Sequence, residues 1–153
     1  GLRSRAEVAA RIAALREDAA APPLSAHEIV LIEALLALAA PAPQALAALR
    51  GLAVDLPAIL PSVERLARRL DALAARGVEV GALAFEGNFG RTTLEYYDGF
   101  VFGLYAEARP DLPPVASGGR YDALTAVLGG GRAAPAVGGV IRPELAVALR
   151  RRP

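Results

Sequence analysis

The sequence contains no cysteine, no methionine and no tryptophan. The missing cysteine excludes a disulfide framework, a thiolate zinc site and a cysteine nucleophile together; an intracellular setting fits that absence without following from it. Lysine is missing too, so all 17 basic residues are arginine, and against 16 acidic residues they leave a formal charge of +1. No global field then recommends nucleic acid or an anionic membrane as partner, and neither is expected. With arginine the only cation and Ala and Leu dominant, arginine-rich runs reflect compositional habit, and 150–152 read as a solvated terminus. The single histidine, His27, falls in the first turn of a predicted helix as a surface residue, and with no cysteine to join it no metal site is expected. Long apolar runs are absent as well: the longest, 29–40, is interrupted by Glu33 and falls short of the roughly 20 residues a bilayer span needs. No signal peptide is visible. A chain without methionine that starts at Gly1 reads as a piece of a longer polypeptide or a processed product.

What is present is apolar: 54% of 153 residues are hydrophobic, enough to bury a core and to argue against disorder. Ser4 and Glu7 form a capping box ahead of Val8, Ile12 and Leu15, which predicts an amphipathic helix over 4–20, ended by Pro22 and Pro23. Ser25 and Glu28 repeat the signature before a second helix that is apolar around most of its circumference and therefore expected to be well buried; Pro41 and Pro43 close it. Further helices are predicted over 44–52 and 62–75, the latter striped by Val63, Leu66, Leu70 and Leu73 and terminated by Gly77.

After Gly77 the period changes from 3.6 to 2. Alternation over 78–85 predicts a strand, and 96–106, rich in aromatic and β-branched residues, a long one. Short strands are predicted over 114–117 and 136–141, with short helices over 121–128 and 144–150. The result is α+β by segregation, with a helical segment over 1–76 and a mostly antiparallel sheet over 77–153.

Most chemical motifs are missing. Residues 129–134 can be forced into a dinucleotide-type glycine run, but the run follows a helix and lacks the acidic residue about 20 positions on. Two stretches remain. Gly118-Gly119 before Arg120-Tyr121-Asp122 places two bare residues where a strand hands over to a helix, so backbone can approach a ligand, Tyr121 can present its hydroxyl, and Arg120 and Asp122 can brace the turn. A glycine corner with a buried tyrosine is the equally ready alternative. The other stretch is Tyr96-Tyr97 on the preceding strand.

In order along the chain, residues 94–102, 118–124 and 136–144 match three motifs, and the pattern resembles the catalytic core of histidyl-tRNA synthetase, a class II aminoacyl-tRNA synthetase. The resemblance covers 78–149 and implies part of a class II antiparallel sheet, with the helical half corresponding to an insertion. Departures from the family pattern matter as much. The arginine used in amino-acid activation falls on Thr92, one place from Arg91, and the ATP-binding arginine falls on Leu145, while Arg142-Pro143 replaces Gly-Leu. Without those guanidinium groups the negative charge developing at the phosphates loses its stabilisation.

A synthetase-like core that keeps the pocket and loses the arginines is similar to the regulatory subunit family of ATP phosphoribosyltransferase. That resemblance implies a non-catalytic cytoplasmic subunit that needs no cofactor, assembles with the short catalytic subunit and with itself, and answers to histidine in the first step of histidine biosynthesis. Carried over residue by residue, the histidine site would use Glu95, Tyr97, Gly118, Gly119, Tyr121, Gly138 and Gly139, with Asp98 standing in place of a threonine and Gly103 of a glutamate. The alternatives are a diverged synthetase fragment and an unrelated interaction domain.

Overall fold

The computed structural model describes residues 3–90 and 96–150. The protein is α+β and divides into two compact units: the chain up to Ala37 with Pro43–Val80, and Leu38–Ala42 with the chain from Gly81 onward.

The first unit is helical. Helix α1 (Arg5–Ala20) opens on the expected capping box, with the Ser4 N–H donating to Glu7 Oε2 at 2.6 Å and the Glu7 N–H to Ser4 Oγ at 3.2 Å. Helix α2 (Ala26–Ala37) repeats it through Ser25 and Glu28. Both helices are more exposed than their apolar content predicts. No residue of α1 is buried, and α2 buries only Leu31 while Val30 stays 60% exposed. An apolar circumference allows burial but does not supply the surface to bury against.

The core of this unit lies instead on α3 (Ala42–Asp55) and α4 (Leu60–Ala74), which follows a single 3₁₀ turn at Pro57–Ile59. Ala45, Leu49 and Ala53 recur every four residues on α3, and Val63, Ala67 and Leu70 form the matching stripe of α4. Each buried Leu or Val contributes about 1.5–3 kcal/mol. Arg50 and Glu64 join the two helices at 3.5 Å, a pair too exposed to add much. Helix α4 ends where Gly77 adopts φ +79°: the Gly77 N–H reaches Ala74 O and the Val78 N–H reaches Leu73 O, a Schellman closure.

The second unit holds two antiparallel sheets. Strand β1 (Ala39–Pro41) pairs with β2 (Ala84–Glu86), and the ladder is extended by Gly87 N–H to Leu38 O and Ala42 N–H to Leu83 O, each 2.8 Å. The predicted strand over 78–85 is therefore interrupted by a 3₁₀ turn, Val80–Ala82, with pairing confined to its end. A strand is only as long as its partner, and β1 is three residues bounded by helices.

The larger sheet has the order β3 (Val101–Leu104), β4 (Ala116–Arg120), β5 (Val137–Ile141). Helix α5 (Asp122–Leu128) connects β4 to β5, and α6 (Pro143–Arg150) follows β5. The long strand predicted over 96–106 is cut to four residues because the ladder is disrupted near its start: the N–H groups of Asp98 and Gly99 both donate to Arg120 O, two residues opposing one as in a β-bulge. At the far end the Arg142 guanidinium donates to Pro114 O at 2.7 Å and its backbone N–H to Val115 O, fastening the close of β5 to the approach to β4.

Candidate functional site

The register of the larger sheet aligns its glycines. Gly119 opposes Gly138 across β4 and β5, so their Cα hydrogens project from one face; Gly118 opposes Gly139 and faces the other way. Above the Gly119–Gly138 face lie tyrosine rings. A Cβ on Gly119 would sit 2.8 Å from Tyr97 Cδ1, and one on Gly138 would sit 2.9 Å from Tyr121 Oη. These two glycines thus leave the space that Tyr97 and Tyr121 occupy. On the opposite face, a Cβ on Gly118 would come 2.8 Å from Phe102 Cε1, and one on Gly139 would come 3.5 Å from Phe102 Cζ.

Tyr96, Tyr97 and Tyr121 form a triad, with ring centroids 4.6 Å apart for Tyr96 and Tyr97, 5.6 Å for Tyr96 and Tyr121, and 6.2 Å for Tyr97 and Tyr121. Together with Gly138, Gly139 and Val140 they line a cavity of about 290 Å³. The lining carries no formal charge. It offers phenol hydroxyls that can donate and accept, and ring faces that attract a cation. The Tyr96 and Tyr97 hydroxyls lie 3.5 Å apart, and that contact pushes the Tyr97 phenol above its usual range. Desolvation and the neighbouring Tyr96 and Tyr121 act in the same direction, so Tyr97 is a neutral phenol at physiological pH.

The corner beneath the triad is held by two aspartates. The Asp98 carboxylate accepts the N–H groups of Asp122, at 3.1 Å, and of Ala123. Asp122 Oδ1 accepts the Ala136 N–H at 2.8 Å, and Asp122 Oδ2 takes both the Nε and Nη2 of Arg120, at 2.8 and 2.7 Å. The expected Arg120–Asp122 brace is present. The Ala136 N–H first, and Arg120 second, hold the Asp122 carboxyl below the ordinary carboxylate range.

The structure thus gathers Tyr97, Tyr121, Gly138 and Gly139 around one cavity, sets Gly119 against the Tyr97 ring outside its lining, and turns the bare Cα of Gly118 to the Phe102 face. Glu95 lies outside the described residues, as do Arg91 and Thr92. Leu145, half-buried on α6, presents an alkyl side chain. Among the described residues no group of three or more His, Asp or Glu side chains could hold a metal ion. Tyr96 and Val140 join the lining beyond the residues expected from the sequence, and Asp98, noted in the sequence only as standing in place of a threonine, acquires a defined task.

The sequence profile of the histidyl-tRNA synthetase family matches residues 5–145. The chain belongs to the histidyl-tRNA synthetase family. That match takes in helices α1 to α4 as well as the tyrosine sheet, so the likeness extends into the helical half, where no motif announces it. Within the family, the chain is 34% identical over 137 residues to the ATP phosphoribosyltransferase regulatory subunits of Brucella ovis, Brucella abortus and Brucella melitensis, an alignment covering 89% of this chain and 36% of each relative. It therefore spans about a third of the length of these curated relatives, whose name describes a regulatory role beside an ATP phosphoribosyltransferase. No solved structure matches.

Proposed function

We propose that this chain is part of a regulatory subunit of ATP phosphoribosyltransferase, in which the tyrosine cavity binds histidine and does not react it. The reading is carried by one observation: three tyrosines converge over a glycine floor, with no charged side chain among the described lining, in a chain whose relatives are named regulatory subunits. A neutral phenol at Tyr97 and the hydroxyls of Tyr96 and Tyr121 suit the imidazole nitrogens, which need one donor and one acceptor when the ring is neutral. Glu95, next to Tyr96 in sequence, is assigned to the ligand's amino group. Gly118, on β4 beside Gly119, leaves room for Phe102 on the opposite face.

Activation by ATP needs cationic stabilisation of the phosphates, and Leu145 offers none at the position where the family's arginine falls. In this reading the subunit is cytoplasmic, self-associates, and assembles with the short catalytic subunit, to which it transmits the histidine level as feedback on the first step of histidine biosynthesis. Feedback of this kind requires histidine to bind two assembly states with different affinity.

The intact polypeptide carrying this chain should bind histidine by isothermal titration calorimetry, show no histidine-dependent ATP–pyrophosphate exchange, and alter the activity of a short-form ATP phosphoribosyltransferase. Exchange activity would instead make it a diverged synthetase. Absence of both histidine binding and any effect on the transferase would end the regulatory reading.

A further inference from the structure

We propose that Asp98 is the positioning residue of the tyrosine cavity, fixing the separation of Tyr97 and Tyr121 in its wall. The ligand's identity rests on the histidine reading above; the positioning itself does not.

Helix α5 begins with backbone N–H groups that have no intrahelical acceptors. The residue at the N-cap is Tyr121, and its side chain makes no capping hydrogen bond. The task ordinarily done by a local Ser, Thr, Asp or Asn is done here by Asp98, whose two carboxylate oxygens accept from the N–H groups of Asp122 and Ala123, 24 and 25 residues on. Asp98 directly follows Tyr97, and Asp122 directly follows Tyr121. One carboxylate therefore links the two backbone segments that carry the facing rings.

Those rings do not set their own spacing. They lie 6.2 Å apart at 49°, a tilted contact with little directional preference. Two backbone bonds also tie these segments, the N–H groups of Asp98 and Gly99 donating to Arg120 O just ahead of Tyr121, while Asp122 fastens α5 to Ala136 ahead of β5. Of these aspartates, Asp98 is the one whose carboxylate reaches from the Tyr97 segment to the Tyr121 segment. Removing it leaves two N–H groups to water and leaves the start of α5, with Tyr121, tied to the Tyr97 segment only through Arg120 O, so Tyr121 gains freedom that a ligand must take away on binding.

The test uses the intact polypeptide carrying this chain with ¹³C-labelled tyrosine, as wild type, Asp98→Ala and Asp98→Asn, the last of which keeps a carbonyl acceptor. The ring-to-ring nuclear Overhauser effect between Tyr97 and Tyr121 should weaken in Asp98→Ala and recover partly in Asp98→Asn. Histidine affinity should fall about tenfold in Asp98→Ala and by a smaller factor in Asp98→Asn, as expected for losing charge-assisted bonds at a half-exposed site. A merely stabilising role would lower the melting temperature and leave that ring contact intact. An unchanged ring contact in Asp98→Asn and Asp98→Ala overturns the proposal, as does an altered contact with unaltered histidine affinity. Should Asp98→Ala not fold, Asp98→Asn decides alone. If wild type takes up no histidine, the histidine reading fails by itself and the ring contact still settles the role of Asp98.

Discussion

Gly119 and Gly138 face the same side of the sheet, yet a methyl group on each would meet different obstacles. On Gly138 it would strike the Tyr121 hydroxyl at 2.9 Å, the far end of a side chain that can swing. Gly138→Ala should therefore keep the fold and, on the proposed histidine reading, lower histidine affinity about tenfold by displacing Tyr121, measurable by calorimetry. On Gly119 it would strike the Phe100 carbonyl oxygen at 2.7 Å, backbone that cannot swing. Gly119→Ala should cost about 1–3 kcal/mol in thermal or urea unfolding.

Asp122 gives a pH signature. Its folded-state pKa is depressed, first by the Ala136 N–H and then by Arg120, so its stabilisation is present above the unfolded value and is lost as pH falls through the folded one. Stability should decline below about pH 4. Glu7 and Glu28, also lowered, by the backbone N–H groups of Ser4 and Ser25, add to the same slope. The difference between wild type and Asp122→Asn isolates the corner: the variant should show a shallower loss of melting temperature on acidification. The tyrosines and glycines of this site are legible in the sequence as motifs of neighbouring residues. The role of Asp98 is not, because its partners stand 24 and 25 positions away and only the fold brings them together.

At the scale of elements, two glycines in the helical unit make opposite predictions in equally open space, since neither Gly51 nor Gly77 has any atom within 4 Å of an added Cβ. Gly51 lies inside α3, so Gly51→Ala should stabilise by about 0.5–1 kcal/mol through lost unfolded-state freedom. Gly77 closes α4 with φ +79°, so Gly77→Ala should destabilise by about 1 kcal/mol. Urea unfolding followed at 222 nm measures both. Helices were legible because their signals are local: Ser4 with Glu7, Ser25 with Glu28 and Gly77 act within one turn of the residues they cap. Strands were less so. Nothing in Ala39–Pro41 announces a strand; it becomes one because Ala84–Glu86 pairs with it, and the expected strand over 78–85 shrinks for the same reason.

Across the whole molecule the apolar content is distributed unevenly. Among the described residues the buried apolar side chains fall chiefly on α3 and α4, while Val8, Ile12 and Leu15 on α1 and Val137, Val140 and Ile141 on β5 stay more than 40% exposed. Exposed apolar groups of that size favour association. The chain at tens of micromolar should sediment as a concentration-dependent mixture heavier than monomer and should bind a hydrophobic dye; a single monomeric species without dye binding would contradict this. None of its described helices is long and apolar enough to cross a membrane.

The ribbon of β1 and β2 has a consequence for how such a chain can vary. Because Ala42 and Leu83 are joined by a backbone hydrogen bond at its base, everything between them leaves and re-enters the fold at adjacent points. Helices there can lengthen, shorten or be exchanged while the chain still closes on the same few ladder bonds. The length of the excursion is thus set apart from the few backbone bonds that close it.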